Sequence, residues 1–178
     1  MKRACQRMKI DVINCQNICI PNIPRIRRLT ALFMRQIGVL APNLEWDLVS
    51  VLLTDDSGIR LLKQTHFGIN EVTDVISVRY DPIPGDACGG CTGEIAVNAQ
   101  RAQERKETCS WNANKELGLY IAHGCDHLSG AEDRNVTERA RMRRRELVWL
   151  KKARMTGLLD RKPLFSIKLK KPLTAERR

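Results

Sequence analysis

Residues 73–98 read TDVISVRYDPIPGDACGGCTGEIAVN, two extended runs either side of a loop rich in proline and glycine. The first run, 73–80, and the second, 93–98, carry the β-branched residues that suit a pleated, half-buried surface. Pro82, Pro84 and Gly85 mark the join as a loop with no helix in it. Two strands in direct succession break the alternation that a chain of repeated βαβ units requires.

Upstream, Lys9 to Ile13 alternates like a strand. Pro24 to Ile37 opens on a proline and spaces Ile26, Leu29, Leu32 and Phe33 as one helical face. Asp47 to Thr54 is a second strand, and Asp55-Asp56-Ser57 is a capping cluster for a helix ending near Gly68. Downstream, helices are predicted over 99–107, 111–129 and 135–151. The order β-α-β-α-β-β-α-α-α predicts an α+β fold, a single mixed four-stranded sheet packed with helices. Near residue 155 helical patterning gives way to Gly157, Pro163, Pro172 and lysines. One domain over 1–155 and a basic C-terminal extension over 156–178 are therefore expected. A chain of 178 residues, 43% hydrophobic, can bury one substantial core. No apolar run approaches the roughly 18 residues needed to cross a bilayer. Met1 to Arg7 is basic, but no apolar secretory core follows it, so the expected location is cytoplasmic, with an organelle transit peptide as the alternative.

The chain has three histidines, and two stand four apart in Ala122-His123-Gly124-Cys125-Asp126-His127-Leu128-Ser129-Gly130-Ala131-Glu132-Asp133. Residues i and i+4 share one helix face, so both imidazoles can meet one ion. Gly130 offers the left-handed conformation that ends a helix and lets the chain fold back. Asp133 is the best-placed third ligand. Two imidazoles and a carboxylate suit zinc with an open position, the catalytic rather than the structural arrangement, and place the metal site on a helix of the C-terminal half. The zinc metalloprotease motif needs Glu directly after the first His, and Gly124 stands there, which argues against ordinary peptide hydrolysis. Asp126 or Glu132 is expected to orient a ligand histidine.

Seven cysteines include a Cys-x-x-Cys at Cys88 and Cys91 and a looser pair at Cys15 and Cys19. The paired thiols fall in the Pro- and Gly-rich loop, without the strand-to-helix setting of a redox motif, so free thiols are expected.

The histidine segment resembles the YbeY family of single-strand-specific endoribonucleases, which mature ribosomal RNA. The family signature His-Gly-x-Leu-His-Leu-x-Gly-Tyr-Asp-His is matched at His123, Gly124, His127, Leu128 and Gly130. Asp126 replaces a leucine, Ala131 the aromatic, Glu132 the Asp and Asp133 the third ligand His. Thr73-Asp74-Val75-Ile76-Ser77-Val78 and Gly93-Glu94-Ile95 match two further family blocks, so the resemblance spans roughly residues 45 to 150. It implies the same fold, one Zn2+ per chain held by His123, His127 and Asp133, and ribosomal RNA, with the pre-ribosomal small-subunit particle, as partner. Where the family carries an arginine thought to serve the reaction, this chain has Phe67. Lys63, Arg79 or Arg134 is then expected to supply the phosphate contact, and His66 to act as an acid or base. Asp133 adds negative charge and makes the metal a weaker Lewis acid.

Charge gives an independent argument. Residues 1–133 carry 15 Lys or Arg against 16 Asp or Glu, whereas residues 134–178 carry 16 against 4. The excess positive charge therefore lies after the proposed metal site. Its densest parts, Arg139 to Arg145 (with Arg143, Arg144 and Arg145) and the tail residues Lys168, Lys170 and Lys171, read as a footprint for RNA phosphates. The expected function is zinc-dependent endoribonucleolytic cleavage of phosphodiester bonds in ribosomal RNA maturation. A ribosome-associated RNA-binding protein with a non-catalytic zinc, and a metal-dependent hydrolase of small or peptide substrates, are the alternatives.

Overall fold

A computed structural model describes residues 8–82, 89–105, 112–160 and 162–167. In chain order its elements are β1 (Lys9–Asn14), β2 (Cys19–Pro21), α1 (Ile23–Leu40), β3 (Trp46–Thr54), α2 (Asp56–Phe67), β4 (Val75–Tyr80), β5 (Cys91–Asn98), α3 (Ala99–Glu104), α4 (Ala113–Leu128), α5 (Val136–Met155) and β6 (Phe165–Ile167). The fold is α+β. Its four-stranded sheet has the order β1-β3-β5-β4, with β1, β3 and β5 parallel and β4 antiparallel to β5. The two consecutive strands at 75–80 and 91–98 supply that antiparallel pair, and the sheet is mixed for that reason.

Each helix starts where a short polar side chain can satisfy an orphan amide. The side chains of Asn22, Asp55, Asn98, Asn112 and Asn135 accept from the backbone N–H groups of Arg25, Gly58, Arg101, Lys115 and Glu138 respectively. At Asp55 the Gly58 amide holds the carboxyl below its ordinary value, as expected when an N-cap accepts in its charged form.

Alternation along the strands separates two faces. Val49, Val51 and Leu53 of β3 and Ile95 and Val97 of β5 join the main core with Phe33 of α1, Ile121 and Leu128 of α4, and Trp149 of α5. Ile76 and Ala96 point the other way and pack with Ile59 of α2, backed by Leu52, Leu62 and Val78. The sheet therefore has α4 on one face and α2 on the other.

The structure departs from the predicted elements most clearly toward the C-terminal end. The strand pair β2 and β6, which forms a separate antiparallel ladder, is too short to show an alternating pattern. Helix α5 runs to Met155, beyond the expected 151. The expected boundary at 155 also moves, because folded structure continues past it. Leu159, Leu164 and Phe165 are buried in the main core. Arg25 of α1 donates to the carbonyls of Gly157 and Leu158, and the Asn22 amide donates to Leu164 O at 2.7 Å. The Leu164 amide in turn donates to Asn114 Oδ1 at 2.8 Å. These apolar residues fall in the short pairs Leu158-Leu159 and Leu164-Phe165 among a glycine, a proline and charges, so no periodicity announces them. The tail lysines Lys168, Lys170 and Lys171 lie outside the described residues, as does Cys88.

Candidate metal centre

Helix α4 crosses the sheet at close range because Gly124 has no side chain. A Cβ there would stand 2.4 Å from Ile95 Cγ2, 3.0 Å from Ser77 Oγ and 3.1 Å from Val75 Cγ2. Position 124 therefore faces β4 and β5, and a glutamate has no room in it. Residues 123 and 127 turn their rings toward one another, and His123 lines a cleft. The helix ends at Leu128; Gly130 then takes φ +90 and its amide donates to His127 O at 2.9 Å. That left-handed turn brings the chain back over the helix end and delivers Asp133.

The three side chains meet. One ligand atom each from His123, His127 and Asp133 lies within 4.8 Å of the others. The two Nε2 atoms are 3.1 Å apart, and His123 Nε2 is 3.8 Å from Asp133 Oδ2. Tetrahedral zinc with bonds of about 2.0 Å separates its ligands by about 3.3 Å, so these distances suit an ion. The hydrogen-bond partners agree. His127 Nδ1 lies 2.9 Å from Ala131 O, a pure acceptor, so Nδ1 carries the proton and donates it. His123 Nδ1 donates to Glu146 Oε1 at 2.6 Å. Both Nε2 lone pairs then aim at the same point, where they repel one another unless a proton or a cation lies between them. Because Ala131 contributes a backbone carbonyl, the loss of an aromatic side chain there leaves this contact intact.

Glu146 was not evident from the histidine segment, since it comes from α5. It had a signal: it occupies one position of the buried stripe Met142, Glu146, Trp149, Leu150 and Ala153, where a carboxylate needs a partner. Burial works against a charged His123, but the hydrogen bond and charge of Glu146, with Asp74 and Asp133 behind it, outweigh burial and hold its pKa above the ordinary 6.5. Asp74, Tyr120, Arg139 and Arg143 line the same cleft. Burial raises the Tyr120 phenol, which stays protonated.

Several expected roles change. Asp126 and Glu132 do not orient the histidines. The Asp126 carboxylate is fully buried and grips Arg145 through hydrogen bonds of 2.9–3.2 Å. Its pKa is raised by burial, with Arg145 pulling it back. Glu132 pairs at the surface with Arg134, whose side chain is 79% exposed. His66 lies across the sheet, in a groove with Leu52, Leu62, Ile76, Val78 and Ala96, on the face opposite α4. The Phe67 ring beside it is half exposed at the end of α2. Arg79 shares the α4 face but donates to Leu128 O at 3.2 Å and Asp81 Oδ1 at 3.0 Å, a cap on the helix end. Arg143, Arg144 and Arg145 diverge at about 100° per residue. Arg143 lines the cleft, Arg144 is exposed, and Arg145 is committed to Asp126. Cys125 is fully buried and burial pushes its thiol far above the ordinary value, so it is no competing ligand. Cys91 is the first residue of β5 rather than part of the loop, and Cys15, Cys91 and Cys125 are free thiols.

Known proteins resemble this chain over most of its length. The family described as Endoribonuclease YbeY matches residues 22–154. The Endoribonuclease YbeY of Syntrophomonas wolfei is 34% identical over 116 residues, covering 60% of this chain and 71% of that protein. That of Thermus thermophilus is 34% identical over 110 residues, covering 61% and 74%. The solution structure of TM1509 from Thermotoga maritima shares the fold, with a TM-score of 0.53 at 20% identity over 85% of this chain and 95% of that one. The matched span contains three of the four strands of the main sheet, β3, β4 and β5, with His123, His127, Asp133 and Glu146, and the chain belongs to the YbeY family of endoribonucleases.

Proposed function

We propose that this endoribonuclease is zinc-dependent and cleaves single-stranded RNA during ribosomal RNA maturation, in the cytoplasm and on the pre-ribosomal small-subunit particle. The observation that carries the reading is the convergence of His123 Nε2, His127 Nε2 and Asp133 Oδ2, each imidazole with its other nitrogen already occupied. His123, His127 and Asp133 would hold the zinc, three protein ligands being the number that leaves a position for water or substrate. When bound, the ion supplies Lewis-acid polarisation of a phosphoryl oxygen and eases deprotonation of water. Glu146 keeps the proton of His123 on Nδ1, and Ala131 O does the same for His127, so that both rings present lone pairs to the cleft. Gly124, pressed against Ile95, leaves no place for the glutamate of a zinc peptidase, which disfavours a peptide substrate. The basic tail with Lys168, Lys170 and Lys171 would add to the RNA contact.

The test is cleavage of a single-stranded ribosomal RNA fragment by the purified chain, with and without chelator, beside His123→Ala. Zinc-dependent cleavage that His123→Ala abolishes is expected, together with about one zinc per native chain. Equal cleavage by the variant, or by the chelated protein, would overturn the reading.

A further inference from the structure

The charge of the cleft poses a problem for any nucleic acid. Asp74, Asp133 and Glu146 line it, so a divalent ion held there would still leave one net negative charge facing an anionic phosphodiester. Among the described residues lining this cleft, Arg139 and Arg143 are the permanent cations. They stand on α5 at positions i and i+4, with Glu146 one turn further along, so one helix face forms the wall of the cleft. Their positions are held. Arg143 Nη1 is 3.7 Å from Glu146 Oε2, and Arg139 Nη1 donates to Asp133 O at 3.0 Å and to Arg134 O at 3.4 Å. Arg139 thereby fixes the backbone of the third ligand while keeping its guanidinium at the rim; five N–H donors exceed what those two carbonyls need. The cations first expected to meet phosphate are engaged elsewhere, Lys63 on Glu71, Arg79 on the end of α4 and Arg134 on Glu132.

We propose that Arg139 and Arg143 bind the phosphodiester being cleaved, turning the cleft from net negative to net positive. The inference rests on the endoribonuclease reading above and assigns that site its phosphate-binding residues. A guanidinium beside a reacting phosphate stabilises the charge that develops there, so its loss lowers the rate of the bound complex and not only binding.

Zinc-loaded native protein, Arg143→Ala, Arg143→Lys, Arg139→Ala and, as reference, Arg60→Ala on the opposite sheet face are compared on three readouts. These are zinc affinity, kcat and KM on a single-stranded RNA oligonucleotide, and the salt dependence of binding a fluorescent 2′-O-methylated single-stranded RNA. Arg143→Ala is expected to keep native zinc affinity, to lose kcat by on the order of a hundredfold, and to reduce the slope of log affinity against log salt by about 0.7. Arg143→Lys recovers the slope and part of kcat, because charge returns without the bidentate geometry. Arg139→Ala loses the slope as well, with zinc affinity reporting any shift of Asp133. Native cleavage with Arg143→Ala and Arg139→Ala matching Arg60→Ala in kcat and slope overturns the inference while leaving the nuclease reading standing. A native protein that does not cleave overturns the nuclease reading itself.

Discussion

Glu146 sets the proton of His123, and its value can be measured without any turnover. Carboxylates that accept from a ligand imidazole typically change metal affinity 10–100-fold when removed. Glu146→Gln keeps an oxygen acceptor without the charge, and zinc affinity in a chelator-competition titration is expected to fall about tenfold. Glu146→Ala removes both and should approach the hundredfold end. An alanine variant that holds zinc as tightly as the native chain would remove Glu146 from the site. The same pairing makes metal-free stability depend on pH. His123 in the fold has a pKa above 6.5, the value it keeps when unfolded, so the fold binds this proton more tightly than the unfolded chain. Its stabilisation is complete below the unfolded value and lost as pH rises through the folded one. The denaturant midpoint of metal-free protein should therefore fall from about pH 6 to 8, and saturating zinc should reverse the trend, because ligation requires neutral imidazole. A metal-free midpoint that climbs over this range would contradict the Glu146 pairing. At this scale, the sequence discloses His123, His127 and Asp133 because one helix and its glycine stop place all three. Glu146 comes from a different helix, and only its place in an apolar stripe betrays it.

The joint between α4 and α5 determines whether those residues stay in register. It rests on Asp126, fully buried where the family signature has leucine, and on Arg145, whose side chain is a quarter exposed. Removing one partner of such a pair strands a charge, at a cost of about 3–5 kcal/mol for fully buried examples. Water reaching Arg145 moderates this, so Arg145→Ala is expected to destabilise by about 3 kcal/mol in urea unfolding. The double change Asp126→Leu with Arg145→Leu should recover most of that loss, because an apolar pair needs no desolvation. A double variant no more stable than Arg145→Ala would mean the pair does more than tie two helices together. Helix α5 was legible as a helix, but its consecutive arginines were not legible as three separate assignments. The direction each takes depends on which face of α5 meets α4, and that follows from Met142, Trp149, Leu150 and Ala153 packing inward, visible only once the two helices are assembled. The sheet was more legible, since the pair 73–80 and 93–98 lacks room for a crossover helix and dictates the antiparallel edge on its own.

For the molecule as a whole, the question is where the fold ends, and two truncations separate the possibilities. The segment after α5 puts Leu159, Leu164 and Phe165 into the core and closes the β2–β6 ladder, with Arg25, Asn22 and Asn114 holding its backbone. Gly118 of α4 marks how close this packing is, since a Cβ there would come within 3.0 Å of Leu159 Cδ2. Three buried side chains of this size contribute roughly 1.5–3 kcal/mol each, an upper estimate because the unfolded chain already shields part of them. Their sum rivals the roughly 5–15 kcal/mol by which a domain is stable at all. A chain ending at residue 155 is therefore expected to lose its cooperative thermal transition. A chain ending at residue 167 keeps the buried packing just named and loses the lysines at 168, 170 and 171. It should retain the native melting temperature and zinc affinity while the salt dependence of single-stranded RNA binding flattens by about 0.7 for each phosphate the tail no longer neutralises. Calorimetry and a salt series on both truncations decide the matter. If the 155 truncation melts like the native chain, the core does not need its C-terminal segment; if the 167 truncation binds RNA with the native salt slope, the tail makes no phosphate contact, and the basic face of α5 must carry the RNA alone.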